Sequence, residues 1–362
     1  MEVNKERALQ SRPPMRWRRY GSRMAVSTPP HPALRWDGRR LVVLDQTRLP
    51  AREEWIALSG AADAAEAIRR LAVRGAPLIG IVAAYGLALE AAAAPDREAL
   101  ERAAALLRAA RPTAVNLAWA VDRVRAAALA APGDMGEAAR AEAERIHAEE
   151  DAASAAIAVA GAAVLAGAER IVTHCNTGAL AAGGAGTALA VVLALHERGP
   201  VSVLACETRP LLQGARLTVW ELARAGVPHA LVVDGAAAGL IRRGEADAVI
   251  VGCDRVAANG DVANKVGTYG LALAARAAGI PFVVAGPTSS LDPALPHGDA
   301  IAIEERGADE VRAFAGAAAT LPGTPVRNPA FDVTPAGLVT ALVTERGVAA
   351  PPTAASVAEL LA

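Results

Sequence analysis

The sequence predicts an α/β fold in two parts: a mainly helical N-terminal domain and a C-terminal domain built on a parallel sheet. Three observations lead there. Before residue 150 the apolar pattern is almost wholly helical. Beyond it, short apolar runs at 171–173, 201–205, 230–233, 248–251 and 282–285 alternate with helical stretches at 184–196, 213–225, 236–243 and 262–278. That β-α-β-α order builds a parallel sheet covered on both faces. Third, hydrophobic residues make up 53% of the chain and aromatics only 3%. The core is therefore closely packed Ala, Val and Leu, not a ring-rich sandwich.

Taken in order, residues 1–30 carry several Arg, no apolar run, and the acidic Glu2 and Glu6. A secretory leader is excluded and an organelle address is disfavoured. The segment reads as a disordered extension, with Met24 as an alternative start. A short strand is expected at 41–45. Asp63 caps a helix running to Val73, and Pro77 sits in the first turn of the helix over 78–90. Helices at 101–109 and 115–130 follow, punctuated by Pro112 and by Pro132-Gly133. A long Ala-rich helix over 136–166 joins the two regions. The uncharged stretches 152–168 and 178–195 consist largely of Ala and Gly. They are too weakly apolar to span a membrane and read as buried helices. The limits that result are a helical domain with short strands at 31–145, a sheet domain at 146–350, and a C-terminal tail at 351–362.

Charge narrows the partners. The formal net charge is −1, so there is no global basic field, and nucleic acid and anionic membrane are not expected partners. Cys175, Cys206 and Cys253 are odd in number, far apart, and without a CxxC. That argues against a disulfide framework or a zinc site and for a reducing, cytoplasmic compartment.

The distinctive polar residues fall just after the predicted strands. They are His174-Cys175-Asn176-Thr177-Gly178, then Glu207-Thr208-Arg209-Pro210, then Asp234, then Asp254-Arg255 with Asn264-Lys265 beyond, then Gly286-Pro287-Thr288-Ser289. In an open parallel sheet the carboxyl ends of the strands form the ligand crevice. Cys175 is either a packed thiol or a nucleophile; a helix starting at Asn176 would favour the thiolate. Asp254 is either a cap or a desolvated acid with a raised pKa. Arg74, Gly75 and Ala76 precede a helix start, where free N–H groups and a cation suit phosphate. Asn264 and Lys265 follow the same logic, at the start of another expected helix. Arg111 and Gln213, taken alone, read as a solvated residue and a cap. Cys206 and Cys253 read as core residues at strand ends, and His174 has no firm role. No GxGxxG or GxxxxGK[ST] occurs, so neither a nicotinamide cofactor nor ATP is supported.

Seven stretches then carry a resemblance. They are RGAPLIG (74–80), RPTAVNLAWA (111–120), THCNTGALA (173–181), ETRPLLQGARLTVWEL (207–222), VGCDRVAANGDVANKVGTY (251–269), PFVVAGPTSSLD (281–292) and NPAFDVTPAGLVTALVTERG (328–347). From about residue 35 to 348 the chain resembles the methylthioribose-1-phosphate isomerase family. That family shares its superfamily with the α, β and δ regulatory subunits of a translation-initiation guanine-nucleotide exchange factor. The resemblance implies a Rossmann-like catalytic domain, usually a homodimer, and an aldose–ketose isomerase of methionine salvage acting on 5-methylthioribose 1-phosphate without metal or cofactor. It implies Cys175 and Asp254 as the catalytic pair. Arg74, Gly75, Ala76, Arg111, Gln213, Asn264 and Lys265 correspond to its substrate-binding set. Cys206, Cys253 and Gly235 depart from the family pattern beside that site. Related readings are an isomerase of another 5-substituted ribose 1-phosphate, such as 5-deoxyribose 1-phosphate or ribose 1,5-bisphosphate, and a non-catalytic subunit that binds a sugar phosphate or nucleotide. A nicotinamide dehydrogenase on this sheet type lacks its glycine fingerprint.

Overall fold

The computed structural model describes residues 33–362 apart from 113 and 315; the extension expected at 1–30 lies outside the described residues. The N-terminal part opens with a three-stranded antiparallel sheet, β1 (Leu34–Trp36), β2 (Leu41–Leu44) and β3 (Trp55–Leu58), in that order. Five helices follow: α1 (Ala61–Arg69), α2 (Ala76–Ala93), α3 (Arg97–Ala110), α4 (Val115–Ala130) and α5 (Met135–Val164). Asp96 caps α3 by accepting the Ala99 N–H at 2.8 Å, and Asp134 caps α5 by accepting that of Glu137 at 3.0 Å. Proline stands in the first turn of α2, as its fixed φ permits. α2 is apolar on every side because α1, α3, α4 and α5 surround it. Leu78, Ile81, Val82 and Leu87 on it are buried.

α5 is one continuous helix through the boundary expected at 145/146. Its first half packs on α2 and α4. Its second half lies against the sheet domain, so the two parts share a helix instead of a linker. The uncharged stretch 152–168 is only partly buried, with Val159 61% exposed on its outer face. The stretch 178–195 is not one helix. α6 (Ala179–Ala182) ends at Gly183, whose φ is 89°, and α7 (Ala188–Arg198) starts afresh.

Beyond α5 the chain runs β4 (Arg170–Thr173), α6, α7, β5 (Ser202–Cys206), α8 (Val219–Arg224), β6 (His229–Val232), α9 (Ala237–Arg242), β7 (Ala248–Val251), β8 (Arg255–Ala257), β9 (Val262–Lys265), α10 (Thr268–Ala278) and β10 (Phe282–Ala285). It closes with β11 (Leu291–Asp292), α11 (Asp309–Arg312), the hairpin β12 (Ala313–Phe314) and β13 (Ala317–Ala318), then β14 (Phe331–Thr334), β15 (Ala341–Thr344), β16 (Gly347–Ala349) and α12 (Ala354–Leu361). The main sheet has the order β16-β15-β10-β7-β4-β5-β6 and is parallel except for β16. β5, β7 and β10 are buried along their whole length, as strands covered on both faces must be. Contacts of α10 with β7 and β10, and of α5 with β15, cover the sheet.

Three expectations change here. Residues 262–278 are not one helix: 262–265 form β9, which pairs with β8 and with β14 in a four-stranded sheet. The partner β14 lies more than sixty residues downstream, beyond what a local pattern reveals. β15 and β16 were not foreseen, because ALVT and GVA are too short to show a period. The tail is a helix. Thr353 caps α12 in a reciprocal box with Ser356, and Val357 and Leu360 are buried in the core beside β16. Leu360→Ala is therefore expected to cost about 2–4 kcal/mol in urea unfolding; an unchanged midpoint would show that α12 is not part of the cooperative unit.

Candidate functional site

The carboxyl ends of β4, β5 and β7 open toward the N-terminal part, and there the two parts touch. Gly75 (φ 95°) precedes α2, and a Cβ at that position would lie 2.3 Å from the carbonyl oxygen of Ala181 on α6. Only glycine tolerates both the dihedral and the approach. Beside it, Arg74 Nη1 donates to Asn176 Oδ1 at 2.6 Å and Nη2 donates to the Asn176 carbonyl at 3.2 Å. Asn176 Nδ2 in turn donates to Glu221 Oε1 at 2.6 Å. Burial pushes the Glu221 carboxyl up to about 7, against the Asn176 and backbone hydrogen bonds and the Arg74 charge that hold it down. Arg216, which follows the Glu207 loop, donates to the carbonyls of Gln46 and Leu49 at 2.6 and 3.0 Å, bolting the β2–β3 loop to the same junction.

The junction encloses a cavity of about 370 Å³. Cys175, Asp254, Arg74, Gly75, Ala76, Arg111, Gln213 and Lys265 all line it. Asn264 does not: on β9 its side chain alternates with that of Lys265, and its Nδ2 donates to Thr268 Oγ1 at 3.0 Å. Neither residue stands at a helix start, because they end a strand, and the expected helix-terminus contribution there disappears. Lys265 reaches the cavity as a side chain, its Nζ donating to the Ala330 carbonyl at 2.8 Å and lying 4.7 Å from the Phe331 ring centre.

Cys175 follows β4 with φ 64°, a left-handed conformation that costs a non-glycine residue about 1–3 kcal/mol and persists where its surroundings fix it. Here they do. The Cys175 N–H donates to Thr208 Oγ1 at 2.9 Å, and Thr218 Oγ1 donates to the Cys175 carbonyl at 2.6 Å. Thr208 is itself held by Asp234, whose two carboxylate oxygens accept the N–H groups of Thr208 and Arg209 at 2.8 and 2.7 Å. The next turn of the chain must come close: a Cβ at Gly214 would sit 1.7 Å from the Cys206 carbonyl. α6, the helix after Cys175, has only four residues. Its dipole is correspondingly small, and the backbone clamp is what orients the thiol. Burial, reinforced by neighbouring carboxylates, pushes the Cys206 and Cys253 thiols each up to about 12.

Asp254 is half-buried in the cavity wall. Desolvation raises its pKa and outweighs the opposing pull of Lys265, Arg74 and Arg111. Those three cations, with Arg70, Arg216, Arg255 and Arg306, face only Asp254 and Glu304 among the acidic lining residues. The cavity is thus cationic and fits an anion. Arg111 pairs with Glu304 at 3.4 Å, and Glu304 also pairs with Arg306 at 3.3 Å. Sequence reading missed Glu304, Arg306 and Gln46. The first two lie in an aperiodic stretch after β11. Gln46 had a visible signal, a polar Asp-Gln-Thr turn directly after a strand, but in the N-terminal part.

Among the described residues one group offers donors for a metal: His174, Cys206 and Asp234, with ligand atoms within 4.8 Å of one another. His174 Nε2 already meets the Val266 carbonyl at 2.8 Å, and burial lowers its pKa, so the ring is neutral. Asp234 has both oxygens on backbone amides. The group is built into the hydrogen bonding that holds the Thr208 loop.

A family model described as the initiation factor 2 subunit family matches residues 72–351. The methylthioribose-1-phosphate isomerase of Anaeromyxobacter sp. (strain K) is 55% identical over 339 residues, 93% of this chain and 99% of that protein. That of Albidiferax ferrireducens is 51% identical over 91% of this chain and 96% of its own. Among solved structures, 5-methylthioribose 1-phosphate isomerase from Pyrococcus horikoshii superposes with TM-score 0.86 at 40% identity, covering 92% of this chain and 96% of that one. A structure described as the delta subunit of translation initiation factor eIF-2B from A. fulgidus gives 0.83 at 38% identity, with coverage of 91% and 99%. By the extent of the family match and the identity to these relatives, the chain belongs to the initiation factor 2 subunit family.

Proposed function

We propose that the protein is an aldose–ketose isomerase of methionine salvage that converts 5-methylthioribose 1-phosphate to 5-methylthioribulose 1-phosphate. The observation that carries this reading is the cationic cavity walled by both Cys175, held in a left-handed backbone conformation, and a desolvated acid, Asp254, in a chain 55% identical to a protein of that name over nearly its whole length.

The chemistry explains why such a cavity is needed. The anomeric carbon carries phosphate, so the ring cannot open as a free hemiacetal. Asp254, protonated, gives its proton to the ring oxygen as the C1–O bond breaks, leaving positive charge at C1. In one route the Cys175 thiolate takes the C2 proton and returns it to C1 through an enol. In the other the C2 hydrogen moves to C1 as hydride beside the thiolate, which stabilises the passing positive charge. In both, the C2 hydroxyl proton leaves as the ketone forms, and the Asp254 carboxylate receives it. The acid is then ready for another cycle. Arg74, Arg111 and Lys265, with the Gly75 and Ala76 backbone, hold the phosphate while the ring opens.

Solution state and location complete the reading. We infer a homodimer, supported by the exposed apolar Leu231 and Val233 on and beside the edge strand β6. The three free thiols support a cytoplasmic setting. A second reading, a non-catalytic subunit, draws on the initiation-factor description of the A. fulgidus neighbour. Carbon NMR of the purified protein with 5-methylthioribose 1-phosphate separates the two: the isomerase yields a ketone carbon, whereas binding without turnover favours the subunit.

The pair itself is tested by substitution. Cys175→Ala and Asp254→Asn are each expected to lower kcat by about 10²- to 10⁴-fold; near-normal turnover in either removes that residue from the mechanism. The raised pKa of Asp254 gives two further signs. As the acid must be protonated, kcat/KM falls as pH climbs through that raised value. Because the folded pKa lies above the unfolded one, ionisation costs stability as pH rises from the ordinary carboxylate range through the raised value. Asp254→Asn has no such cost and should be at least as stable as the natural protein at pH 7 in urea titration.

A further inference from the structure

Among the described residues that line the cavity two are acidic, Asp254 and Glu304. Asp254 is the acid of the proposed reaction, and Glu304 takes no step in it. Of the three cations assigned to the phosphate, Arg74 is tethered by the Asn176 amide oxygen and Lys265 by the Ala330 carbonyl, both neutral acceptors. Arg111 is tethered by a carboxylate instead: its Nη2 lies 3.4 Å from Glu304 Oε2. Both side chains are 24% exposed, so solvent and ligands reach them. Glu304 Oε1 also lies 3.3 Å from Arg306 Nη1. Both contacts are long beside the ~2.7–2.9 Å of a tight charge-assisted hydrogen bond. Arg306 already has its own counter-ion. Its Nε donates to the two Glu310 oxygens at 3.0 and 2.9 Å, and Glu310 Oε2 accepts from Asn328 Nδ2 at 3.1 Å. The Glu304 charge is therefore set against Arg111. Its place on the wall is fixed, since the Glu304 carbonyl accepts the Ala330 N–H at 2.8 Å and the Arg306 N–H donates to the Asn328 carbonyl at 2.9 Å.

We propose that Glu304 is a positioning residue that acts through Arg111: its carboxylate offsets the guanidinium charge and weakens the cavity's hold on a phosphate group. The assignment of that phosphate to Arg111 rests on the isomerase reading. Substrate and product of that reaction carry the same phosphate. A grip equally strong on both lowers KM without raising kcat, and it slows the departure of product. A built-in counter-anion limits that grip while the guanidinium stays in place to orient the ligand. The same charge bears on the acid. Burial does most to raise the Asp254 pKa; Lys265, Arg74 and Arg111 pull it down, and Glu304 pushes it up again. These four reach it from β9, from the turn before α2, from the end of α3 and from the stretch after β11. The Cys253 thiol beside Asp254 in the chain is uncharged at neutral pH, because burial pushes it up to about 12. Cys175, Arg70, Arg216, Arg255 and Arg306 complete the ionisable lining.

The test uses Glu304→Gln, which keeps an oxygen for the guanidinium and removes the charge. Two quantities are read on this variant and on the natural protein. One is the affinity for sulfate, a tetrahedral dianion throughout the working pH range, by isothermal titration calorimetry. The other is the pH dependence of kcat/KM for 5-methylthioribose 1-phosphate. Loss of a carboxylate beside Arg111 is expected to tighten sulfate binding about 5- to 50-fold. It is also expected to move the high-pH fall of kcat/KM about half a pH unit or more toward acid, since removing a negative neighbour favours the ionised carboxylate. A residue that only orients Arg111 gives the opposite sign for sulfate and leaves the falling limb in place. Unchanged or weaker sulfate binding, or an unmoved limb, overturns the proposal. Glu304→Met carries no charge either and is read in the same way should the Gln variant not fold. If the natural protein turns over no 5-methylthioribose 1-phosphate, the isomerase reading fails, while the sulfate titration needs no turnover and decides the charge offset by itself.

Discussion

Everything in the site depends on a backbone-to-backbone contact between the two parts of the chain. Gly75 meets the carbonyl of Ala181 with no room for a Cβ. That approach sets Arg74 onto Asn176 and lets the start of α2 face the ends of β4 and β7. A side chain at position 75 would part the halves by more than an ångström and open the cavity to water. Interactions between Asp254 and its cations weaken steeply when solvent enters, because screening replaces a low local dielectric. α5 makes the junction stiff instead of hinged, since it packs on α2 in one part and on α7 and β15 in the other.

Within that frame the two reactive groups are prepared by different physics. Asp254 is tuned by desolvation against three positive neighbours, and burial prevails. Desolvation thus works against ionisation of a carboxyl that faces a cationic pocket, which a surface aspartate does not experience. Cys175 is prepared by geometry. Its left-handed backbone is clamped by Thr208 on the N–H side and Thr218 on the carbonyl side. Thr208 carries the same left-handed dihedral, φ 64°, and leans on Asp234. The strained residues sit on two facing loops, after β4 and after β5, and hydrogen bonds tie one loop to the other. The role of His174 becomes plain in this setting: a neutral ring wedged between the Val266 carbonyl and Thr208, it fills and orients the loop.

The sequence made the parallel sheet legible because five of its strands carry short apolar runs separated by helical stretches. α4 and β7 could be delimited to the residue. What could not be read locally was pairing at a distance. VANK looks like the first turn of a helix until Phe331–Thr334 arrives to pair with it. Of the site, the cavity set apart from Asn264 came from motif positions and strand ends. Glu304 and Arg306 were hidden because nothing in their neighbourhoods is periodic, and Gln46 because its polar turn lies in the N-terminal part, away from the parallel sheet. Glu221 looked like an ordinary helix residue, and only the fold places it under Asn176.

The composition of the cavity also explains why so alanine-rich a chain can handle a doubly charged ligand. The cavity's cations come from separate elements, Arg74 before α2, Arg111 after α3 and Lys265 from β9, with the first turn of α2 beside them at Ala76. Each is anchored by a different neighbour, Asn176, Glu304 or the Ala330 carbonyl. Three separately tethered cations resist collapse onto one another and leave the cavity suited to an anion. The wall therefore stays cationic while burial, and not charge neutralisation, sets the Asp254 carboxyl among those charges.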